Sequence, residues 1–174
     1  LLSLKLKSKK FEQEEVLKNI SVNLDSDDRL IIEGPNGSGK STLMSILCGK
    51  DKAFDGSLRL KDSIKVGILS QFSLLDPNKT VIEEYSSKTS IEYSRGRSAL
   101  ANFLFPAEFI ETKVKSLSYG QQRRLEFAIL LTNTPDLIFL DEPTNDLDIF
   151  LREDLERFLS EQKIAMIIIS HDKY

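Results

Sequence analysis

A chain of 174 residues, 40% of them hydrophobic and 29% charged, is long enough to bury a core and suits one soluble α/β domain. Its net charge of −3 argues against a free-standing basic nucleic-acid module, and no direct DNA binding is indicated. A single cysteine, Cys48, excludes an internal disulfide framework, and the longest apolar run, 164–169, has the length of a strand and not of a membrane span. With no signal peptide in view, the expected compartment is the cytoplasm.

Leu2, Leu4 and Leu6 alternate with polar residues, as do Ile20, Val22 and Leu24; both segments predict strands with one face in the core. Residues 9–15 between them read as a charged turn carrying one aromatic, Phe11. Lys5, Lys7, Lys9 and Lys10 form the one concentrated basic run, and their alternation with Leu4 and Leu6 predicts the solvated face of a strand in preference to a local basic patch. After Asp27 and Asp28, the apolar residues Leu30, Ile31 and Ile32 predict a buried strand.

That strand runs into GPNGSGKS, residues 34–41, which fits G-x-x-x-x-G-K-[ST] without a mismatch and is followed by an apolar, helix-compatible run. Gly34, Gly37 and Gly39 let the backbone turn so that successive N–H groups converge on one anion, and the following helix adds the positive end of its dipole. Lys40 is placed to bridge the β- and γ-phosphates, and the Ser41 hydroxyl to enter the shell of a Mg²⁺ ion. The pattern predicts that the chain binds a nucleoside triphosphate. Cys48, on the helix behind this loop, reads as a small buried residue and not as a nucleophile.

Further along, Asp55-Gly56 marks a tight turn before a short strand, 57–60, and 65–70 forms another strand that delivers Gln71. The texture then becomes helical, with stretches near 81–85 and 91–105 set off by Pro77 and Pro106, so a helical subdomain of about 72–134 is expected inside the core of a single domain. Ser118 is positioned to cap a helix over 120–131 that carries Leu125, Ala128 and Ile129 on one face. The apolar strand 137–140 ends in Asp141, a candidate magnesium ligand, and Glu142, one residue further, could orient or deprotonate an attacking water. An amphipathic helix at 149–159 and a buried strand at 163–170 complete the pattern. Apolar strands alternating with helices imply a mostly parallel sheet covered on both faces, with the phosphate loop and the later strand ends at its carboxyl edge.

GPNGSGKST, Gln71, LSYGQ (residues 117–121), LDEPTNDLD (140–148) and Ser170-His171-Asp172 stand in the order and rough spacing of the ATP-binding-cassette (ABC) ATPases, which the chain resembles over essentially its whole length. The resemblance implies a P-loop NTPase fold with a small N-terminal antiparallel β subdomain. It also implies that Gly34, Pro35, Asn36, Gly37, Ser38, Gly39, Lys40, Ser41 and Thr42 hold ATP. Phe11 resembles the aromatic that stacks on adenine, although packing accounts for a lone turn aromatic equally well. Gln71 resembles the residue that senses Mg²⁺ and the attacking water, joining Ser41 and Asp141 as metal contacts and Glu142 and His171 as catalytic ones. Ser118, Gly120 and Gln121 resemble the signature that reaches the ATP of a facing cassette, and Asp148 the loop acid that crosses between the two. The family's usual Gly-Gly is here Tyr119-Gly120, so the tyrosine ring must point away from the ATP.

One cassette bears the phosphate loop and the signature on different surfaces, so two are expected to face each other, in one polypeptide or as a homodimer, with ATP between them. The short segment between Gln71 and Leu117, and wording such as ILSQ, EPTNDLDI and SHDKY, resemble the ABC-F class, soluble proteins that act on the ribosome in translation or in antibiotic resistance. The alternative is the nucleotide-binding subunit of a membrane transporter, partnered by a permease. Family members continue past His171, so the chain is expected to be part of a cassette.

Overall fold

The computed structural model describes residues 1–103, 105–143, 152–153, 157 and 159–170. In chain order the elements are β1 (Leu2–Phe11), β2 (Glu14–Leu24), β3 (Arg29–Ile32), α1 (Lys40–Leu47), β4 (Asp55–Leu60), β5 (Val66–Leu69), α2 (Val81–Thr89), α3 (Tyr93–Asn102), α4 (Tyr119–Thr132), β6 (Leu137–Asp141) and β7 (Ala165–Ile169). They fall into two compact units. The first comprises Leu1–Ile68, Pro135–Pro143 and the chain from Lys163 on; the second is Leu69–Thr134 with the described part of 144–162.

In the first unit β1 lies between β2 and β4 and runs antiparallel to both, with Leu4 opposite Val22 on one side and Leu58 on the other. Leu2, Leu4 and Leu6 point inward as their alternation predicts. The charged turn is shorter than the sequence suggests: Phe11 pairs with Glu14, leaving Glu12 and Gln13 as the loop. Register shifts between Leu6 and Ser8 on the β4 side, and between Lys9 and Lys10 on the β2 side, reverse the alternation. Lys9 is therefore not on the solvated face with Lys5, Lys7 and Lys10. It is 3% exposed, and its charge is matched by Asp51 at 2.6 Å.

The same irregularity corrects the reading of Asp55-Gly56 as a turn. Both belong to β4, and Gly56, with φ of 151°, pairs with Leu6 so closely that a Cβ would stand 2.2 Å from the Lys5 carbonyl oxygen.

The second sheet of this unit has the order β3-β7-β6-β5, and β3, β7 and β6 pair in parallel. Apolar residues fill β7 throughout and β6 up to Leu140 because these strands are central and covered. The strand at 30–32, read as buried, is an edge strand whose Ile31 is 41% exposed. One face of this sheet (Phe139, Ile167, Ile169) shares a core with Leu43, Met44, Ile46 and Leu47 of α1 and with Leu2, Leu4 and Leu6 of β1. This core fixes α1, and with it the start of the phosphate loop's helix, against the carboxyl edge of the strands.

The second unit is helical. Thr80 caps α2 and Ser118 caps α4, each in a reciprocal box closed by Glu83 and Gln121 respectively. Val81, Ile82 and Tyr85 of α2, Leu100 of α3, and Leu125 and Ala128 of α4 form its core. Glu84 is fully buried within it and is paired by Lys88 at 3.0 Å and Lys79 at 3.5 Å. Of the helix expected at 149–159, residues 152–153, 157 and 159 are helical and the others lie outside the described residues. Among the described residues no helix is long and apolar enough to cross a membrane.

Candidate functional site

Residues 34–39 connect the end of β3 to the first turn of α1, and the loop is drawn together by its own groups. Ser38 N donates to the Pro35 carbonyl at 3.2 Å, and the Lys40 ammonium donates to the carbonyls of Gly34 at 2.7 Å and Pro35 at 3.0 Å. Lys40 is 8% exposed, so its charge sits in a poorly solvated position where attraction to phosphate is strengthened. An ammonium has three N–H donors; two hold the loop's curvature and the third remains for a phosphate oxygen. Ser41 and Thr42 follow in the first turn of α1, whose N-terminal N–H groups and dipole favour an anion.

Gly39 caps α1 in the left-handed region, φ 91°, and a Cβ there would lie 2.8 Å from Leu17 Cδ2 and 3.0 Å from Val16 Cγ1. The apolar pair Val16 and Leu17 on β2 thus backs the phosphate loop directly. The sequence reading missed this contact, since nothing in the local pattern of β2 says what it packs against.

Register brings the acids to the same edge. Ile32 of β3 pairs with Ile169 of β7, and Ile169 pairs with Asp141 of β6. The start of the phosphate loop and the Asp141-Glu142 pair are therefore separated by one strand, about 10 Å. Glu142 N donates to the Ile169 carbonyl at 3.1 Å and Ser170 N to that of Ile32 at 3.2 Å, so all three strand ends are tied together. Glu142 holds a left-handed backbone, φ 49°, uncommon for a residue with a side chain and found where a site over-determines it.

Phe11 stands half exposed at the end of β1, with the Lys9 ammonium 4.7 Å from its ring centre, a cation–π distance. Gln71 and the LSYGQ residues lie in the second unit. Gln71 is exposed, just after β5. Ser118 Oγ accepts from Gln121 N at 3.3 Å while Gln121 Oε1 accepts from Ser118 N at 2.9 Å; the cap leaves the serine's own O–H as a donor. Gly120 occupies the first turn of α4. Tyr119, the departure from the family's pattern, folds along its own helix, with the Arg123 guanidinium 5.7 Å from its ring centre. Asp148 and His171 lie outside the described residues.

Cys48 is inert by its surroundings: burial pushes its thiol up to about 11, with Lys50 opposing and Asp141 adding. For magnesium, no group of three His, Cys, Asp or Glu among the described residues forms a protein-only cage. A hydroxyl at Ser41 and a carboxylate at Asp141 are nevertheless hard oxygen donors of the kind magnesium takes beside nucleotide phosphates.

Comparison with known proteins agrees with this arrangement. The family described as "ABC transporter" matches residues 17–145. "ATP-binding protein Uup" of Haemophilus influenzae is 35% identical over 94% of the chain, and "Probable ATP-binding cassette sub-family F member 3 homolog" of Encephalitozoon cuniculi is 36% identical over 91%. The chain spans only 28% of the length of each. Among solved structures, the ATP-binding cassette MJ0796, in a dimeric post-hydrolysis state bound to ADP and Pi, superposes with a TM-score of 0.81 at 27% identity, covering 99% of this chain and 88% of that one. A phosphate loop seated on an aliphatic α1, an aspartate-glutamate pair one strand away and a capped LSYGQ helix thus occur together in a chain that belongs to the ABC transporter family.

Proposed function

We propose that this chain is an ATP-binding and ATP-hydrolysing cassette of an ABC-F type protein, working on the ribosome with a second cassette facing it. The observation that carries the ATPase reading is the register Ile32–Ile169–Asp141, which sets a carboxylate pair beside the phosphate loop. Residues 34–42 grip the phosphates, with Lys40 supplying the fixed charge. Ser41 and Asp141, joined by Gln71, would hold the magnesium ion, whose charge offsets that of the β- and γ-phosphate oxygens. Glu142 orients the attacking water and takes its proton. His171 contacts the γ-phosphate, and Phe11 stacks on adenine.

Ser118, Gly120 and Gln121 act on the ATP of the facing cassette, with Asp148 crossing the interface. ATP then favours closure, and hydrolysis releases it. The dimeric state of MJ0796 supports the paired arrangement, and the sub-family F relative supports the ABC-F branch. A cytoplasmic protein serving translation or antibiotic resistance follows from that branch.

The test uses the full-length protein. With Glu142→Gln and ATP it should co-sediment with ribosomes, and without nucleotide it should not. Association with a membrane permease in place of ribosomes would overturn the branch while leaving the ATPase reading intact.

A further inference from the structure

The backbone on both sides of Gln71 is held by one turn of α4. Arg123 Nη1 donates to the Ser70 carbonyl at 2.6 Å and to Glu126 Oε2 at 2.9 Å, and Glu126 Oε1 accepts from Leu74 N at 3.2 Å. The Arg123 side chain is buried, 2% exposed, and that of Glu126 is 9% exposed. The far end of the same segment is tied to α2, where Lys88 donates to the Leu74 carbonyl at 2.6 Å and Glu84 accepts from Asp76 N at 3.0 Å.

Arg123 is poorly explained as a stabilising residue alone. Its Nε and Nη2 make no hydrogen bond although they are buried, a state that desolvation penalises. What the guanidinium does accomplish is geometric. It lies by the ring of Tyr119, between Ser118 and Gly120 in sequence, and it grips the carbonyl immediately before Gln71. The helix whose first turn bears the signature is thereby joined, through one side chain, to the peptide that presents the glutamine.

We infer that Arg123, supported by Glu126, is a positioning residue for Gln71, making that glutamine and the first turn of α4 a single rigid piece. This rests on the roles proposed above for Gln71 and Ser118. No residue of the phosphate loop takes part in this grip, so the effect belongs in turnover and not in ATP affinity.

The experiment measures kcat and KM for ATP, with thermal melting, in the full-length protein carrying Gln71→Ala, Arg123→Met or both. Each single variant should lower kcat by roughly tenfold to hundredfold with KM changed by less than about threefold, and the double variant should be no slower than Gln71→Ala. Arg123→Lys, which keeps a donor for Ser70, should recover part of the loss. Losses that multiply in the double variant, or an Arg123→Met kcat equal to wild type, would overturn the inference. An unchanged kcat in Gln71→Ala would instead overturn the role given to Gln71 itself. Where Arg123→Met fails to fold, Glu126→Gln, which weakens the grip on Arg123 while keeping an acceptor for Leu74, completes the same cycle.

Discussion

Lys9 Nζ lies 2.6 Å from Asp51 Oδ2, donates to the Ala53 carbonyl at 2.7 Å, and faces the ring of Phe11. This ammonium holds the segment after α1 against the end of β1, next to the aromatic proposed to meet adenine. Lys9→Met keeps the buried stem but removes both polar contacts, at a cost of about 1–3 kcal/mol. Denaturant unfolding measures it, and the difference has a pH signature. The hydrogen bond from Lys9, followed by that from Ala53 N, holds Asp51 below the usual carboxylate range. The stabilisation is therefore present above the ordinary carboxylate pKa, near 4, and is lost as pH falls through the depressed folded value. The gap between wild type and Lys9→Met should narrow below about pH 4 and be flat above pH 5.

Gly56→Ala should be among the most damaging small substitutions. The new Cβ would meet the carbonyl oxygen of Lys5 at 2.2 Å and Leu6 Cα at 2.9 Å, both backbone atoms with no rotamer to change. Relief requires β4 to part from β1 at the bulge, so a loss of about 3 kcal/mol or more is expected. Circular-dichroism melts would register it, and nucleotide binding at temperatures where the variant is still folded should be unaffected.

The lone cysteine offers a chemical check on the first core. With its thiol pushed up to about 11 by burial, Cys48 holds roughly a hundredfold less thiolate at pH 8 than it would at its ordinary value of 9.0. Alkylation by iodoacetamide, followed by mass spectrometry of the peptide that contains it, should be slower than in the unfolded chain by about that factor. The folded state favours the neutral thiol, so this group's contribution to stability is complete below pH 9 and falls away as pH rises toward 11.

What could be read in the sequence was what depends on residue type at fixed spacing. The phosphate loop is one such case: Gly34, Lys40 and Ser41 announce their chemistry wherever they stand in that order. Ser118 with Gln121 three residues on is another, because the box is closed inside one turn. Alternation found β1 and β2 but failed at Lys9, because a bulge inverts the pattern without changing any residue's character. Gly56 misled for a related reason: its missing side chain answers to Lys5 across the sheet and not to a local turn. The exposure of Ile31 follows from sheet order, and the grip of Arg123 on Ser70 joins residues 53 positions apart; neither is a property of a local stretch. The conformation of Glu142 was equally hidden, since φ is set there by what surrounds it.

That conformation makes Glu142 a place where stability and turnover should separate. A side chain in the left-handed region is less favourable than glycine there by about 1 kcal/mol, and the hydrogen bond from Glu142 N to the Ile169 carbonyl holds it in place. Glu142→Gly relieves that strain and removes the carboxylate; Glu142→Gln keeps the strain and only neutralises the acid. Both should slow phosphate release by roughly 10²–10⁴ in the full-length protein, as expected for loss of a general base. Their unfolding free energies should diverge, with the glutamine variant within about 0.5 kcal/mol of wild type and the glycine variant above it by up to about 1 kcal/mol. With Glu142 in the role proposed above, the glutamine variant should bind ATP without completing the reaction and accumulate the closed, paired state, read as an ATP-dependent gain in the compact form by small-angle scattering. A glycine variant markedly less stable than wild type would show that the backbone at Glu142 is not strained, and hydrolysis undiminished in either variant would remove Glu142 from the chemistry.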